Sequence, residues 1–276
     1  MKILNICTLA FGSIILGVSA NPAMGFTLDL FSETDSNTAD LYIGGSLFQE
    51  DTLYQGQEVR VNQDSSTLTG LLYKSEESDT GLSNVQGGNR HLKIETSSGS
   101  KEASLAVGTT SENILNLNTD SKTTSIGTVV WNGSSSIDFN NLNTNAALGL
   151  DLESFDPDDD SLGINIEFAD QGGSLELTLS DGANTHTDTQ SIPIVNNTPP
   201  KSIYFDYGTY EAESININSI QYIAAEISGP PASDIDLNFL ETAVRPVPFE
   251  FSPGLGIVVS GAFIGINVLK KKLKAA

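Results

Sequence analysis

The segment LGINIEFADQGGSLELTLS (162–180) carries an apolar side chain at every second position on both sides of a Gly-containing break. This period of two places the apolar side chains on one face of an extended chain and leaves the other face exposed to solvent. Such a pattern is typical of antiparallel strands in a half-exposed sheet. Because no window has a convincing helical period, the pattern predicts an all-β fold of two packed sheets, a β-sandwich or jelly roll. The same alternation occurs in FTLDLF (26–31), EVRVN (58–62), HLKIE (91–95), SLAV (104–107), GTVVW (127–131), LGLDLE (148–153), SIYFDY (202–207), INSIQYIAAEI (217–227) and IDLNFLE (235–241).

The charge balance is strongly acidic, with 35 Asp and Glu against 13 Lys and Arg and a formal net charge of −22. Five of the 13 basic residues are Lys2 and the four lysines of the C-terminal tail, so only eight face the acidic residues of the body. Binding to nucleic acid requires clustered basic residues that displace counterions from phosphates. The composition therefore argues against nucleic acid as a partner. It fits one folded domain, which we place at residues 26–243.

Residues 1–20 have the organisation of a secretory signal peptide: Lys2, then an apolar run, then small residues at Val18-Ser19-Ala20. The alternative is a buried or membrane-spanning helix, but the apolar run is short for a span and ends at Asn21-Pro22. Cleavage after Ala20 or Gly25 would remove Cys7, the only cysteine. We therefore expect an exported protein that folds without a disulfide.

The C-terminal tail, residues 246–276, combines a Pro-rich motif, an apolar run over 255–269 and a basic cluster. With residues 251–254 added, the apolar run is about long enough for a single transmembrane helix at 1.5 Å per residue. The alternative is an ordinary buried helix with a basic end. The positive-inside rule would keep the lysines in the cytoplasm and the acidic body outside. These topology-determining residues are Lys270, Lys271, Lys272 and Lys274.

The order of motif, apolar span and basic cluster resembles the PEP-CTERM class of sorting signals, in the variant whose motif reads PFEFSPG. The residues that carry this resemblance are Pro248, Phe249, Glu250, Phe251, Ser252, Pro253 and Gly254. The resemblance implies that a membrane-embedded exosortase is a partner and cleaves near the motif. The helix would then anchor the protein in the membrane only transiently, on the way to the cell envelope or cell surface.

Three blocks of the body resemble a recurrent jelly-roll ectodomain of exported proteins with this kind of tail. They are VQGGNRHLKIE (85–95), GTVVWNGSS (127–135) and SIQYIAAEISGPPASDIDLNFLETA (219–243). This resemblance implies the fold and the compartment, and it carries no catalytic motif.

The densest acidic cluster lies in DLESFDPDDDSLG (151–163). Asp156, Asp158 and Asp160 occupy alternate positions, and oxygen-rich loops of this kind suit Ca²⁺. The spacing resembles an EF-hand loop, but the sixth position is Ser161 where that loop needs Gly, and the flanking patterns are strands. The alternative is a solvated turn that keeps an acidic protein soluble.

The aromatic residues have two interpretations. Trp131 and the segment YFDYGTY (204–210) provide the rings for a sugar-stacking platform. Strand alternation, however, places Ile203, Phe205 and Tyr207 on one face, as in a core, and leaves Tyr204, Asp206 and Tyr210 as the residues nearest to solvent.

We find no enzyme constellation in the sequence. His91 and His186 lie far apart, and there is no G-x-S-x-G motif and no thiol in the body. We therefore expect a non-enzymatic, exported surface or matrix protein without a catalytic cofactor. The alternative is a carbohydrate-binding, lectin-like protein or a carbohydrate-active one on a β-sandwich, with an extracellular polysaccharide as its ligand. Two carboxylates about 5–10 Å apart in a cleft would favour the enzyme.

Overall fold

The computed structural model describes residues 27–29, 31, 39–43, 46–51, 57–62, 73–83, 85–96, 102–107, 114–121, 123–154 and 158–245. The predicted signal peptide, the predicted sorting tail and Asp156 lie outside these residues. Within the described ranges, no helix is long and apolar enough to cross a membrane.

The described residues form fifteen strands and one short helix. In chain order the elements are β1 (Thr27–Asp29), β2 (Ala39–Ile43), β3 (Ser46–Asp51), β4 (Gln57–Asn62), β5 (Tyr73–Thr80), β6 (Asn89–Thr96), β7 (Glu102–Val107), β8 (Ile114–Thr119), β9 (Ser125–Trp131), β10 (Ser161–Ala169), β11 (Gly173–Ser180), β12 (Thr185–Ile192), β13 (Lys201–Asp206), α1 (Tyr207–Ala212), β14 (Tyr222–Gly229) and β15 (Asp234–Ala243). Two 3₁₀ turns, Gln86–Gly88 and Ile217–Ser219, precede β6 and β14.

These strands form two antiparallel sheets. Sheet A has the order β13-β10-β15-β8-β7-β4, with β1 paired to β15, and sheet B has the order β12-β11-β14-β9-β6-β5-β2-β3. Leucines and isoleucines from both sheets belong to one buried cluster between them. The prediction of an all-β sandwich is therefore confirmed.

The alternating segments behave as the period of two predicts. In β11, Leu175, Leu177 and Leu179 are fully buried, while Glu176 and Thr178 between them remain partly exposed. Burying one aliphatic side chain stabilises the fold by about 1.5–3 kcal/mol. These three inward leucines are therefore the main contribution of β11 to the stability of the sandwich. The intervening positions are left free to build an outer surface.

Several local predictions are wrong. LGLDLE (148–153) is not a strand, although Leu150 pairs with Ile220 in an isolated bridge. The start of INSIQYIAAEI (217–227) is the 3₁₀ turn Ile217–Ser219, and the strand begins only at Tyr222. Tyr207 leaves the strand and opens α1, because the Asp206 carboxylate accepts a hydrogen bond from the Gly208 backbone N–H at 2.8 Å.

A buried ion pair ties β1 to sheet B. Both carboxylate oxygens of Asp29 accept from Arg90 Nη1 at 2.9 Å, and Trp131 Nε1 donates to Asp29 Oδ2 at 2.8 Å. Asp29 and Arg90 are 1% and 0% exposed. Trp131 is buried as well, so its interpretation as a core residue is confirmed.

Candidate functional site

The outer face of sheet B carries one row of polar side chains across four neighbouring strands. The strand register places Glu176 of β11 opposite Glu226 of β14, Glu226 opposite Thr128 of β9, and Thr128 opposite Lys93 of β6. Side chains alternate between the two faces of a strand. Because the neighbouring position Leu177 belongs to the core, these four residues point away from it. We call them the central row.

A second row, two residues along each strand, leads into a depression. It consists of Ser174, Ser228, Ile126 and Glu95 in register. The depression has a volume of about 410 Å³ at the ends of β6 and β14 and the start of β9. Ile126 is 40% exposed there, unusually open for a large aliphatic side chain in a strand. The depression is lined by Glu95, Thr96, Thr124, Ser125, Ile126, Ser228 and Gly229.

Among the residues that the structure describes, three buried hydroxyls of this region have no hydrogen-bond partner: Thr96 Oγ1, Ser125 Oγ and Thr128 Oγ1. Thr96 and Ser125 line the end of the depression but lie opposite each other on the inward side of their strands, two positions from Ile94 and Gly127. Thr128 lies in the central row on the outer face. Each of these side chains is at most 2% exposed. A buried polar group without a partner costs about 1–3 kcal/mol. Thr128 therefore marks the position on the outer face where an added hydrogen-bonding group would be stabilising.

The segment 132–149 covers the part of this face that adjoins the central row. Its side chains Ile137, Phe139, Leu142 and Ala146 pack against a separate apolar cluster of Val130, Tyr222 and Ala224 on the outer side of β9 and β14. This segment therefore forms a wall beside the central row, and we call it the wall segment. The ammonium group of Lys93 lies 5.4 Å from the Phe139 ring centroid, so the wall and the row are in contact.

The electrostatics of the central row are dominated by carboxylates. Lys93 Nζ donates to Glu95 Oε2 at 3.1 Å. Burial raises the pKa of Glu226, and the negative charges of Glu176 and Glu95 raise it further, while Lys93 acts in the opposite direction. The directly opposed pair of Glu176 and Glu226 is unfavourable in a sheet, since like charges face each other. The row can accept hydrogen bonds and attract positive charge.

His91 fastens the start of the wall segment to β6. Its Nε2 faces two acceptors, Asn132 Oδ1 and the Ser134 carbonyl, both at 3.0 Å, so this nitrogen carries the proton and donates. Its Nδ1 then accepts from the Ser78 hydroxyl at 2.7 Å. Both ring nitrogens are engaged and the side chain is fully buried. The residue therefore has a structural role.

We expect acid to weaken the fold through His91. Burial lowers the pKa of His91 below its ordinary 6.5, although the Asn132 and Ser134 hydrogen bonds oppose this. The unfolded chain binds more protons below about pH 6.5, so the His91 contribution is complete above that pH and is lost as pH falls toward the lowered pKa. The slope attributable to this residue reaches up to about 1.4 kcal/mol per pH unit.

The measurement is urea unfolding of wild type and His91→Gln between pH 7.5 and 4.5. The variant will be less stable throughout, so the informative quantity is the pH slope. The wild type should lose stability on acidification faster than the variant does. Parallel slopes would show that His91 is not responsible.

The residues predicted to bind Ca²⁺ are only partly described. Asp158 and Asp160 are exposed, whereas Asp159 between them is buried, and its Oδ2 accepts from the Thr242 hydroxyl at 2.5 Å. Among the described residues, no group of three or more His, Cys, Asp or Glu side chains could hold a metal ion. With Asp156 outside the description, the Ca²⁺ site stays a prediction.

The aromatic segment is mostly core. Phe205, Tyr207 and Tyr210 are buried, which confirms the core interpretation for the first two. The expectation that Tyr210 lies near solvent is wrong, because α1 turns its ring inward and its hydroxyl donates to the Leu177 carbonyl at 2.9 Å. Tyr204 and Asp206 remain partly exposed.

The central row was not predicted from the sequence. HLKIE and SLELTLS show polar residues at the outward positions, so Lys93 and Glu176 were visible as surface positions. Nothing local indicates that β6 and β11 flank β9 and β14, which brings those positions into one row. That neighbourhood depends on pairings between segments distant in the chain.

No family model matches this sequence, and no curated protein matches it. Among solved structures, the chain is similar to a mutant family 29 carbohydrate-binding module complexed with mannohexaose, at 8% identity and a TM-score of 0.29, over 69% of this chain and 94% of that one. It is also similar to a family 11 carbohydrate-binding module from Clostridium thermocellum in complex with a β-1,3-1,4-mixed-linked tetrasaccharide, at 7% identity and a TM-score of 0.28, over 69% and 97%. Such TM-scores carry no information on what this chain binds.

Proposed function

We propose that this chain is an exported, non-enzymatic surface protein whose β-sandwich binds an extracellular polysaccharide on the outer face of sheet B. The single observation that supports this assignment is the hydroxyl of Thr128, which is buried in the central row and has no hydrogen-bond partner among the described residues. Sugar rings offer hydroxyls that both donate and accept, together with apolar C–H faces. The carboxylates of the row would accept from sugar hydroxyls, and Ile126 and Phe139 supply apolar contact area.

Two features support a binding role without catalysis. Both ring nitrogens of His91 are committed to holding the wall segment, and the His186 ring packs edge-on against Tyr210 with centroids 5.6 Å apart. Because both of its ring nitrogens are hydrogen-bonded, His91 is not free to act as a general base. The opposed carboxylates Glu176 and Glu226 lie on a sheet face, and we assign them to ligand binding.

The binding test uses purified protein and a panel of soluble polysaccharides in affinity electrophoresis. We expect at least one polysaccharide to retard the wild type, and Glu226→Ala to reduce its affinity about tenfold or more by removing an acceptor from the row. Glu167→Ala is the matched control, because Glu167 lies on sheet A and accepts from Asn165 and Asn238 there.

Two outcomes would contradict the binding proposal. One is the absence of retardation by any polysaccharide, and the other is an equal loss of affinity in the Glu226 and Glu167 variants. Release of reducing ends from a retained polysaccharide would show instead that the protein is carbohydrate-active.

We further propose the route by which the protein reaches the surface. The signal peptide would direct export, the tail would anchor the body on the outer side of the membrane, and an exosortase would cleave near the PFEFSPG motif. The arrangement of motif, apolar run and lysines in 246–276 supports this proposal. A permanent anchor would need only the apolar run and the lysines.

Mutation of the tail separates sorting from simple anchoring. Replacing Phe249, Glu250 and Pro253 with alanine should leave membrane insertion intact and block maturation, since the apolar run is unchanged. Replacing the four lysines of the tail with neutral residues should disturb orientation or retention. The readout is the intact mass of the protein in membrane and surface fractions. If the motif variant matures to the wild-type mass, the tail is only an anchor.

A further inference from the structure

We propose that the outer face of sheet B selects a linear amino-sugar polysaccharide, whose ammonium groups bind the carboxylates of the central row. This inference rests on the proposed function and specifies its ligand class. Four observations carry it: the charge of the row, the hydroxyl of Thr128, the length of the row and the net charge of the protein.

The first observation is the imbalance of charge at the row. Glu176 and Glu226 oppose each other directly, with Cβ atoms about 4.5–5.5 Å apart as in any such pair. Glu95 lies in the second row, where it accepts from Lys93. Glu226 and Glu95 therefore share the ammonium group of Lys93, whereas Glu176 lies three strands away from it. A ligand ammonium placed between Glu176 and Glu226 would convert an unfavourable like-charge pair into a favourable one.

The second observation is the unpartnered hydroxyl of Thr128. It lies between Glu226 and Lys93 in the register, is 2% exposed and has no hydrogen-bond partner within the described part of the chain. It points to a ligand independently of the carboxylates, because a buried neutral hydroxyl is stabilised by a hydrogen-bond partner and not by a charge as such. An amino sugar presents hydroxyls beside its ammonium group, and a simple inorganic cation does not.

The third observation is the length of the row. The register continues from Glu176 to Thr189 of β12 and from Lys93 to Glu76 of β5. Neighbouring strands lie about 4.8 Å apart, so a row across these six strands extends over about 24 Å. A polymer lying across the strands beside the wall segment would contact the row with several sugar units. This geometry favours a linear chain over a single sugar.

The fourth observation is the charge of the whole protein. A formal net charge of −22 repels anionic polysaccharides and raises the local concentration of cationic ones. Burial and the neighbouring carboxylates raise the pKa of Glu226, and a bound ammonium group would act against that shift. A cationic ligand would therefore stabilise the row more than a neutral or an anionic one.

The test compares three hexasaccharides of equal length by calorimetry with the full-length protein at pH 6: the glucosamine hexamer, the N-acetylglucosamine hexamer and the glucose hexamer. We expect the glucosamine hexamer to bind about tenfold more tightly than the other two at low salt. The advantage should shrink as salt is added, because the charges are close to solvent.

Variants connect this preference to the row. Glu176→Gln and Glu226→Gln keep the size of the side chain and should remove the preference for the glucosamine hexamer. Glu167→Gln on sheet A should retain it. Thermal unfolding of each variant verifies that the fold is intact.

Several results would overturn the inference. Equal binding of all three hexamers would reject the amino-sugar preference while leaving the polysaccharide-binding proposal in place. An equal loss in the Glu167 variant would show attraction to net charge without a site. Failure of every hexamer and every polysaccharide to bind would reject the proposed function together with this inference.

Discussion

Asp29→Ala should lower the free energy of unfolding by about 3–5 kcal/mol, the typical cost of breaking a buried ion pair by removing one partner. The substitution leaves the guanidinium of Arg90 fully buried without its carboxylate and removes the acceptor of Trp131 Nε1. It also removes the acceptor of the Phe31 backbone N–H, which donates to Asp29 Oδ1 at 2.7 Å. The measurement is urea unfolding followed by Trp131 fluorescence.

The control for this prediction is Asp138→Ala. Asp138 is exposed, and its carboxylate accepts only from the nearby Asn140 backbone N–H among the contacts that the described residues show. We expect a change within about 0.5 kcal/mol there. The double variant Asp29→Ala with Arg90→Leu should be less destabilised than the sum of its single variants, because no charge is left buried. A loss below about 1 kcal/mol for Asp29→Ala would refute the structural role of the pair.

Gly133→Ala should destabilise the protein by about 3 kcal/mol or more and loosen the wall segment. Gly133 has a φ of +67°, a conformation that costs residues with a Cβ roughly 1–2 kcal/mol. A Cβ at this position would also lie 2.7 Å from Leu148 Cα and 2.8 Å from Leu148 N. Because these are backbone atoms, the returning end of the wall segment would have to move.

Gly149→Ala is the matched control for this second prediction. Gly149 has a similar φ of +62°, but the nearest atom to its added Cβ would be the Ala147 carbonyl oxygen at 4.0 Å. An alanine at position 149 would therefore have the unfavourable backbone conformation without the steric clash. We expect the free energy of unfolding of this variant to fall by about 1 kcal/mol. Thermal unfolding of both variants measures the difference. Equal losses would mean that crowding at Gly133 does not matter.

The two glycines also connect stability to the proposed binding role. The wall segment begins at Asn132, which His91 holds, and Gly133 lets the chain turn at that point. If the wall borders the ligand, Gly133→Ala should weaken polysaccharide binding more than Gly149→Ala does. Affinity electrophoresis of the two variants compares them at the same temperature, below both unfolding transitions.

The sequence by itself determined the all-β architecture, because the alternation in segments such as SLELTLS is a local property. It also determined that Ile203 and Phe205 share one inward face, since neighbouring positions of a strand point to opposite sides. The local pattern misassigned LGLDLE, where buried leucines alternate but the backbone joins no extended ladder. There the chain is fixed by single bonds such as that from Leu150 N to the Ile220 carbonyl.

Only the tertiary structure decided which outward residues become neighbours. Asp29 and Arg90 are 61 positions apart in the chain. Glu176 lies opposite Glu226 because β11 pairs with β14, although β12 and β13 separate these two strands in the sequence. The same holds for Thr128, which lies between Glu226 and Lys93. Alternation fixes the side of a strand on which a residue lies, but long-range pairing and register fix what lies beside it. A site assembled from one residue of each strand is therefore invisible in the sequence of any one strand.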